Sequence, residues 1–448
     1  MGRLFGTDGI RGIAGEGLTA EMAYKLGLAV ASVLRSTDDA KGKVLIGKDT
    51  RISGDMFEAA ITAGLCAAGC NAVSLGVVPT PAVAFLVRQL GADAGIMISA
   101  SHNKSEYNGI KVFSGLGYKL DDEKEHQVEE IILGHAEATL CSGAGIGKIC
   151  YEETALERYC AHVRALLPQE GVKGRRILLD LANGSATATA KSIFVSNDTY
   201  EFDFMSDRPD GININEKCGS TELHALSQAV CAGKYDLGIA FDGDADRCLC
   251  VDQNGNTIDG DRILSLFALD MKRRGVLRNN TLVVTCLSNL GVFRMAEKNQ
   301  IDIETTSVGD RYVLECMLKG NFSVGGEQSG HIILSDYATT GDGQMTAAKI
   351  LSIMSQTKAE ASEIFSVMEP LPQVAINVCA TDAQKKRMNQ CERLTAALED
   401  VRAKLGRRGR VLLRPSGTEA LIRIMLEGEN ISEIQQYGEE LAQIVKEL

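Results

Sequence analysis

The residues best placed for chemistry are Ser99-Ala100-Ser101-His102-Asn103. They follow the apolar run Ala94-Gly95-Ile96-Met97-Ile98 and precede Asn108-Gly109-Ile110-Lys111. An apolar run without alternation predicts a strand buried on both faces. The small polar residues after it predict a tight loop at the strand's carboxyl end, the edge where open α/β sheets bind ligands. A serine there is ordinarily a turn former or a helix cap. With a histidine beside it and a lysine further on, Ser101 is placed to act as a phosphate-carrying nucleophile.

Other loops strengthen that reading. Leu237-Gly238-Ile239-Ala240-Phe241 is a second unbroken apolar run, ending in Asp242-Gly243-Asp244-Ala245-Asp246-Arg247. Three carboxylates at alternate positions can converge on one hard cation, and Mg²⁺ suits them because it takes oxygen ligands in a small octahedron with room for a phosphate oxygen. A calcium loop of the helix-loop-helix type needs glycine at its sixth position and glutamate at its twelfth; Arg247 and Gln253 stand there. Arg247 beside the acidic cluster fits a bound phosphate.

Gly325-Gly326-Glu327-Gln328-Ser329-Gly330-His331 offers a carboxylate, a hydroxyl and an imidazole able to reach sugar hydroxyls. Arg414-Pro415-Ser416-Gly417-Thr418-Glu419, with Arg423 further on, combines two guanidinium groups, two hydroxyls and a glycine amide in a nest for a phosphate dianion. Phe5-Gly6-Thr7-Asp8-Gly9-Ile10-Arg11-Gly12 reads as a glycine-rich loop that can lay amides and Arg11 against an anion. Lys48-Asp49-Thr50-Arg51 places two more cations at a carboxyl edge.

Apolar periodicity supplies the elements that hold these loops. Helices are predicted over about 19–34, 54–68, 121–135, 152–166, 261–274, 342–356 and 383–405, and strands at 44–46, 72–77, 176–180 and 281–285. Val251 to Asn256 reads as a hairpin turn, and Gly309-Asp310-Arg311-Tyr312 as a helix start. Strand, small polar turn and helix recur near Ser99, Asn183 and Ser288. The fold class is therefore α/β, with three similar mixed α/β domains, 1–150, 151–250 and 251–368, and after Glu369-Pro370-Leu371-Pro372 a C-terminal α+β domain, 369–448.

Composition narrows the function. At 448 residues, with 45% hydrophobic and 24% charged residues, the chain reads as an ordinary soluble protein of two to four domains. A formal charge of −12 argues against a nucleic-acid or anionic-membrane surface, so an anionic substrate needs a local basic pocket. Thirteen cysteines lie scattered without a CxxC pair, which predicts reduced buried thiols and a cytoplasmic protein. No apolar run reaches the length of a membrane span.

The four loops occur in order, one per predicted domain, and on them the chain resembles the α-D-phosphohexomutases over nearly its whole length. Phe5 to Gly12, Gly309-Asp310-Arg311-Tyr312-Val313, and Asn213-Ile214-Asn215 with Cys218-Gly219-Ser220 make it similar to the branch acting on glucosamine phosphates. The resemblance implies a heart-shaped, four-domain enzyme interconverting glucosamine 6-phosphate and glucosamine 1-phosphate for UDP-N-acetylglucosamine synthesis. The alternative within the class acts on glucose or mannose phosphates. The resemblance further implies phosphoserine at Ser101, one Mg²⁺ on Ser101, Asp242, Asp244 and Asp246, and Arg247 steadying the phosphate. It assigns sugar hydroxyls to Glu327 and Ser329, and the distal phosphate to Arg414, Ser416, Gly417, Thr418 and Arg423. Arg11, Lys111 and His331 are left unranked for proton transfer and charge stabilisation. A sugar phosphate is the expected partner, and a homodimer is compatible. Two positions depart from the family pattern: Lys104 stands where proline is common and Tyr107 where aspartate is frequent, which predicts a looser serine loop.

Overall fold

The structure is a computed structural model that describes residues 4–6, 8–35, 41–168, 170–388, 390–415 and 420–448. It divides into two compact units, one of residues 1–287 and 301–367, the other of residues 288–300 and 368–448.

The first unit carries three mixed sheets. One has the order Ile10–Ile13, Tyr107–Ser114, Ala94–Ile98, Lys43–Lys48, Asn71–Val77, Ile149–Tyr151, in which Tyr107–Ser114 is antiparallel to both its neighbours and the remaining pairs are parallel. Ala94–Ile98 is buried at all five positions, as its unbroken apolar run predicts. In the second sheet Leu237–Phe241 lies between the antiparallel Cys248–Asp252 and the parallel Arg175–Asp180. The third runs Asp302–Thr306, Thr281–Thr285, Val324–Gly326, Ile332–Leu334. In each, the loops after central parallel strands carry the singled-out residues.

Two stretches differ from expectation. Ile10–Ile13, which holds Arg11 and Gly12, is a strand rather than loop, and it pairs with Tyr107–Ser114, a strand that the periodicity does not predict. The latter contains Asn108, Gly109 and Lys111, polar or flexible residues that disguise it. Lys111 is nevertheless buried, because carboxylates from another sheet meet its ammonium. The helix expected over 383–405 is two, Asp382–Met388 and Glu392–Leu405. Between Gln384 and Gln390 only Met388 is apolar, too little to bind a continuous helix to the core.

The second unit is an antiparallel sheet, Gln373–Cys379, Leu421–Gly428, Gly409–Pro415, with the helices Glu392–Leu405 and Ile431–Lys446 packed on it. The helix Leu290–Asn299 also belongs here. Asn289 exchanges hydrogen bonds with Leu371, Leu290 donates its N–H to the buried Glu427 carboxylate at 3.1 Å, and Arg410 bonds the Ser288 carbonyl.

Candidate active site

Ser101 lies in the left-handed region (φ 52°), which few non-glycine residues adopt. The loop around it over-determines that conformation. Ser101 N–H donates to Ser99 Oγ at 2.9 Å, and Ser99 Oγ donates to buried Asp49 at 2.6 Å. The fully buried Arg51 pairs with Asp49 at 2.9 Å and donates to the carbonyls of Ser101 (3.0 Å), Asn103 (2.8 Å), Tyr107 (3.0 Å) and Lys104. Asn215 adds bonds to the Ser101 and Asn103 carbonyls. Arg51 is thus spent on Asp49 and the loop backbone, and Lys48 turns to Asp55 and Glu58. These bonds hold the loop without the missing proline; the Lys104 side chain is exposed.

The second reactive loop is laid against the first. A Cβ on Gly243 would stand 2.6 Å from the Ser101 carbonyl, so only glycine lets the loops touch. Ala245, also left-handed (φ 54°), turns the chain so that Asp242, Asp244 and Asp246 converge, one oxygen from each lying within 4.8 Å of the others. Ser101 Oγ donates to Asp242 Oδ2 at 2.5 Å. Asp244 Oδ2 accepts from Thr80 (2.5 Å) and Lys111 (2.8 Å), and Asp246 Oδ2 from Lys111 (3.2 Å). Buried Oδ1 atoms of Asp244 and Asp246 have no hydrogen-bond donor among the described residues. Burial and the neighbouring Asp246 and Asp244 push the Asp242 carboxyl well above its usual range. Three buried carboxylates with two bare oxygens fit a hard divalent cation.

Around this cluster runs a circuit in which carboxylates alternate with nitrogen bases. Lys111 lies 3.4 Å from Asp8; Lys119 bridges Asp8 (2.7 Å) and Asp310 (2.6 Å). His331 Nε2 stands 3.6 Å from Asp310 and its Nδ1 3.7 Å from Asp246. Burial opposes the charge on Lys111, but Asp244, Asp8 and Asp246 outweigh it and raise its pKa well above the usual value. Burial likewise opposes protonation of His331, and Asp246, Asp310 and Glu327 lift it to about 9. Against that, the Gly341 N–H donates to Nε2 at 3.1 Å and needs a lone pair there. A neutral ring that accepts this bond carries its proton on Nδ1, toward Asp246, and a second proton displaces the Gly341 bond.

A cavity of about 500 Å³ opens onto these groups, lined by Asp8, His102, Asp246, Arg247, Asp310, Glu327, Ser329 and His331 among others. It brings together the serine, aspartate and glutamate loops. Buried Nε atoms of Arg247 and Arg11 have no hydrogen-bond partner among the described residues; Arg11 pairs with Asp8. Burial, then Arg247 and Arg11, pulls His102 down to about 4, so it is neutral near neutral pH. The sequence reading missed Asp8, Thr80, Lys119 and Asp310. Asp8 and Asp310 stand inside the quoted motifs; Lys119 carries no local signal.

In the second unit Arg414 and Arg423 are directly opposed across antiparallel strands. Like charges so placed repel unless an anion lies between them. Ser416, Gly417 and Thr418 lie outside the described residues.

Known proteins match along the whole chain. The phosphoglucomutase/phosphomannomutase α/β/α domains I, II and III and the C-terminal domain match residues 2–139, 157–255, 259–371 and 376–444. The chain is 48% identical over 448 residues to the phosphoglucosamine mutase of Caldicellulosiruptor saccharolyticus, covering 100% of this chain and 99% of that one. It is 49% identical over 447 residues to that of Clostridium botulinum strain Alaska E43, covering 99% of each. Its fold is that of a phosphoglucomutase/phosphomannomutase family protein from Burkholderia thailandensis (TM-score 0.80, 22% identity, 99% of this chain and 98% of that one). The Aspergillus fumigatus N-acetylphosphoglucosamine mutase in complex with GlcNAc-6P and magnesium also shares it (TM-score 0.71, 18% identity, 99% and 95%). The chain belongs to the phosphoglucomutase/phosphomannomutase family, in its phosphoglucosamine mutase branch.

Proposed function

We propose that this isomerase interconverts glucosamine 6-phosphate and glucosamine 1-phosphate through a phosphorylated Ser101. The observation that carries the reading is the Ser101 hydroxyl bonded to Asp242 within three buried carboxylates, two of which keep a bare oxygen. Phosphoserine gives its phosphoryl group to the free hydroxyl of the sugar phosphate, forming a 1,6-bisphosphate. The bisphosphate turns around, and the other phosphoryl group returns to Ser101.

Phosphoryl transfer needs positioning and charge neutralisation more than covalent help. Asp242, Asp244 and Asp246 with the phosphoserine would hold Mg²⁺, which supplies neutralisation of phosphoryl charge when bound. Arg247 and Arg11 present guanidinium groups with unpaired Nε atoms to the transferring phosphate. Lys111, fixed by its carboxylates, stabilises charge, and His331 and Lys111 are the groups for moving the hydroxyl proton. Glu327 and Ser329 bind sugar hydroxyls, and Arg414 and Arg423, with Ser416, Gly417 and Thr418, take the distal phosphate. All thirteen cysteines are free, which favours the reducing cytoplasm.

The test pairs intact mass with kinetics. Purified protein should carry about one phosphate that is absent from Ser101→Ala. Its kcat/KM for glucosamine 6-phosphate should exceed those for glucose and mannose phosphates at least tenfold. Equal turnover of the three sugars would overturn the assignment.

A further inference from the structure

An enzyme of this branch must tell a hexosamine phosphate from a hexose phosphate. The two differ at one position, where an ammonium replaces a hydroxyl, and an anion facing the sugar with an oxygen still to give favours the ammonium most strongly. Four carboxylates line the cavity among the described residues: Asp8, Asp246, Asp310 and Glu327. Asp246 belongs to the metal cluster. Both oxygens of Asp8 are taken, Oδ1 by Lys111 and Lys119, Oδ2 by Arg11. Both oxygens of Glu327 are taken as well, Oε1 by the Gly309 N–H at 3.1 Å and Oε2 by the Ser329 hydroxyl at 3.3 Å.

Asp310 differs. Its Oδ2 accepts from Lys119 at 2.6 Å and is also the oxygen facing His331, whereas Oδ1 has no hydrogen bond or ion pair among the described residues. The Lys119 clamp, itself anchored on Asp8, fixes the carboxylate without using Oδ1. Asp310 also opens the helix Asp310–Gly320, whose amino end favours a negative charge. We propose that Asp310 is the specificity-determining residue of the pocket, its Oδ1 accepting a charge-assisted hydrogen bond from the sugar's 2-ammonium, with Lys119 as the positioning residue that aims it. This rests on the glucosamine phosphate reading.

A hydroxyl in place of the ammonium makes a weaker, neutral bond to the same oxygen, so the residue acts on the ratio between sugars rather than on phosphoryl transfer itself. The experiment compares kcat/KM for glucosamine 6-phosphate and glucose 6-phosphate in wild type and Asp310→Asn. The ratio should fall about tenfold to a hundredfold in the variant, through a greater loss on the amino sugar. Should Asp310→Asn fail to fold, Asp310→Ser gives the same readout. An equal loss on both sugars would overturn the inference and leave Asp310 a structural partner of Lys119. A wild type without preference for the amino sugar would instead sink the functional reading, and this inference with it.

Discussion

The Ser101 hydroxyl donates to Asp242 at 2.5 Å, joining residues 141 positions apart. No local interaction brings them together; Gly243 against the Ser101 carbonyl, and Arg51 and Asn215 on the loop backbone, do. Removing the hydroxyl leaves that scaffold in place. Ser101→Ala should therefore fold normally but lose at least about a thousandfold in turnover. A coupled assay and a melting curve check both halves.

Arg51 is the support whose loss the loop should feel most. It is fully buried, neutralises Asp49 and satisfies four loop carbonyls. Arg51→Met leaves a buried carboxylate without its cation and takes a donor from each of those carbonyls, at a cost of about 3–5 kcal/mol. Urea unfolding should show the loss, and an unchanged midpoint would mean that the loop holds itself.

The aspartate cluster predicts a response to metal. Chelation should abolish activity, and Mg²⁺ should restore it and raise Tm by a few degrees, since binding to the folded state at about 100 times Kd adds about 2.7 kcal/mol. Asp244→Asn should blunt that shift in differential scanning fluorimetry.

Asp342 predicts how stability depends on pH. It caps the helix Gly343–Met354 and accepts from the Tyr159 hydroxyl, and burial pushes its carboxyl up to about 7. The folded protein holds this proton more tightly than the unfolded chain does. The stabilisation is therefore complete below about pH 4 and is lost as pH rises through about 7, by up to about 4 kcal/mol. Asp342→Asn, which keeps a capping oxygen, should flatten the slope between pH 5 and 8 in chemical denaturation.

The thiols offer a check on burial. Cys231 and Cys379 are exposed, whereas burial raises Cys70, Cys160 and Cys218 to about 11. Alkylation at neutral pH should label the first pair in the native protein and the other three only on unfolding, as peptide mass mapping would show.

What could be read from the sequence follows from where each side chain finds its partner. Leu237–Phe241 and Ala94–Ile98 stand out because strands buried on both faces need nothing but apolar residues. Ser101 and the three aspartates stand out because they follow such strands. Tyr107–Ser114 hides because Lys111 is neutralised by Asp244 and Asp246, more than 130 positions away. Lys119 hides for the same reason, since its carboxylates are Asp8 and Asp310. Arg51 reads only as one more cation at a carboxyl edge and is a loop support, a role decided by which carbonyls face it after folding.

The helix Leu290–Asn299 is separated from the rest of its compact unit by residues 301–367. On the ribosome it emerges well before Leu371, Arg410 and Glu427, the groups that fasten it, and cannot find its seat until nearly the last strand has been made. The carboxyl-terminal unit is thus not a contiguous module. A fragment starting near Glu369 lacks this helix, and should be cleaved by proteases that spare the intact chain.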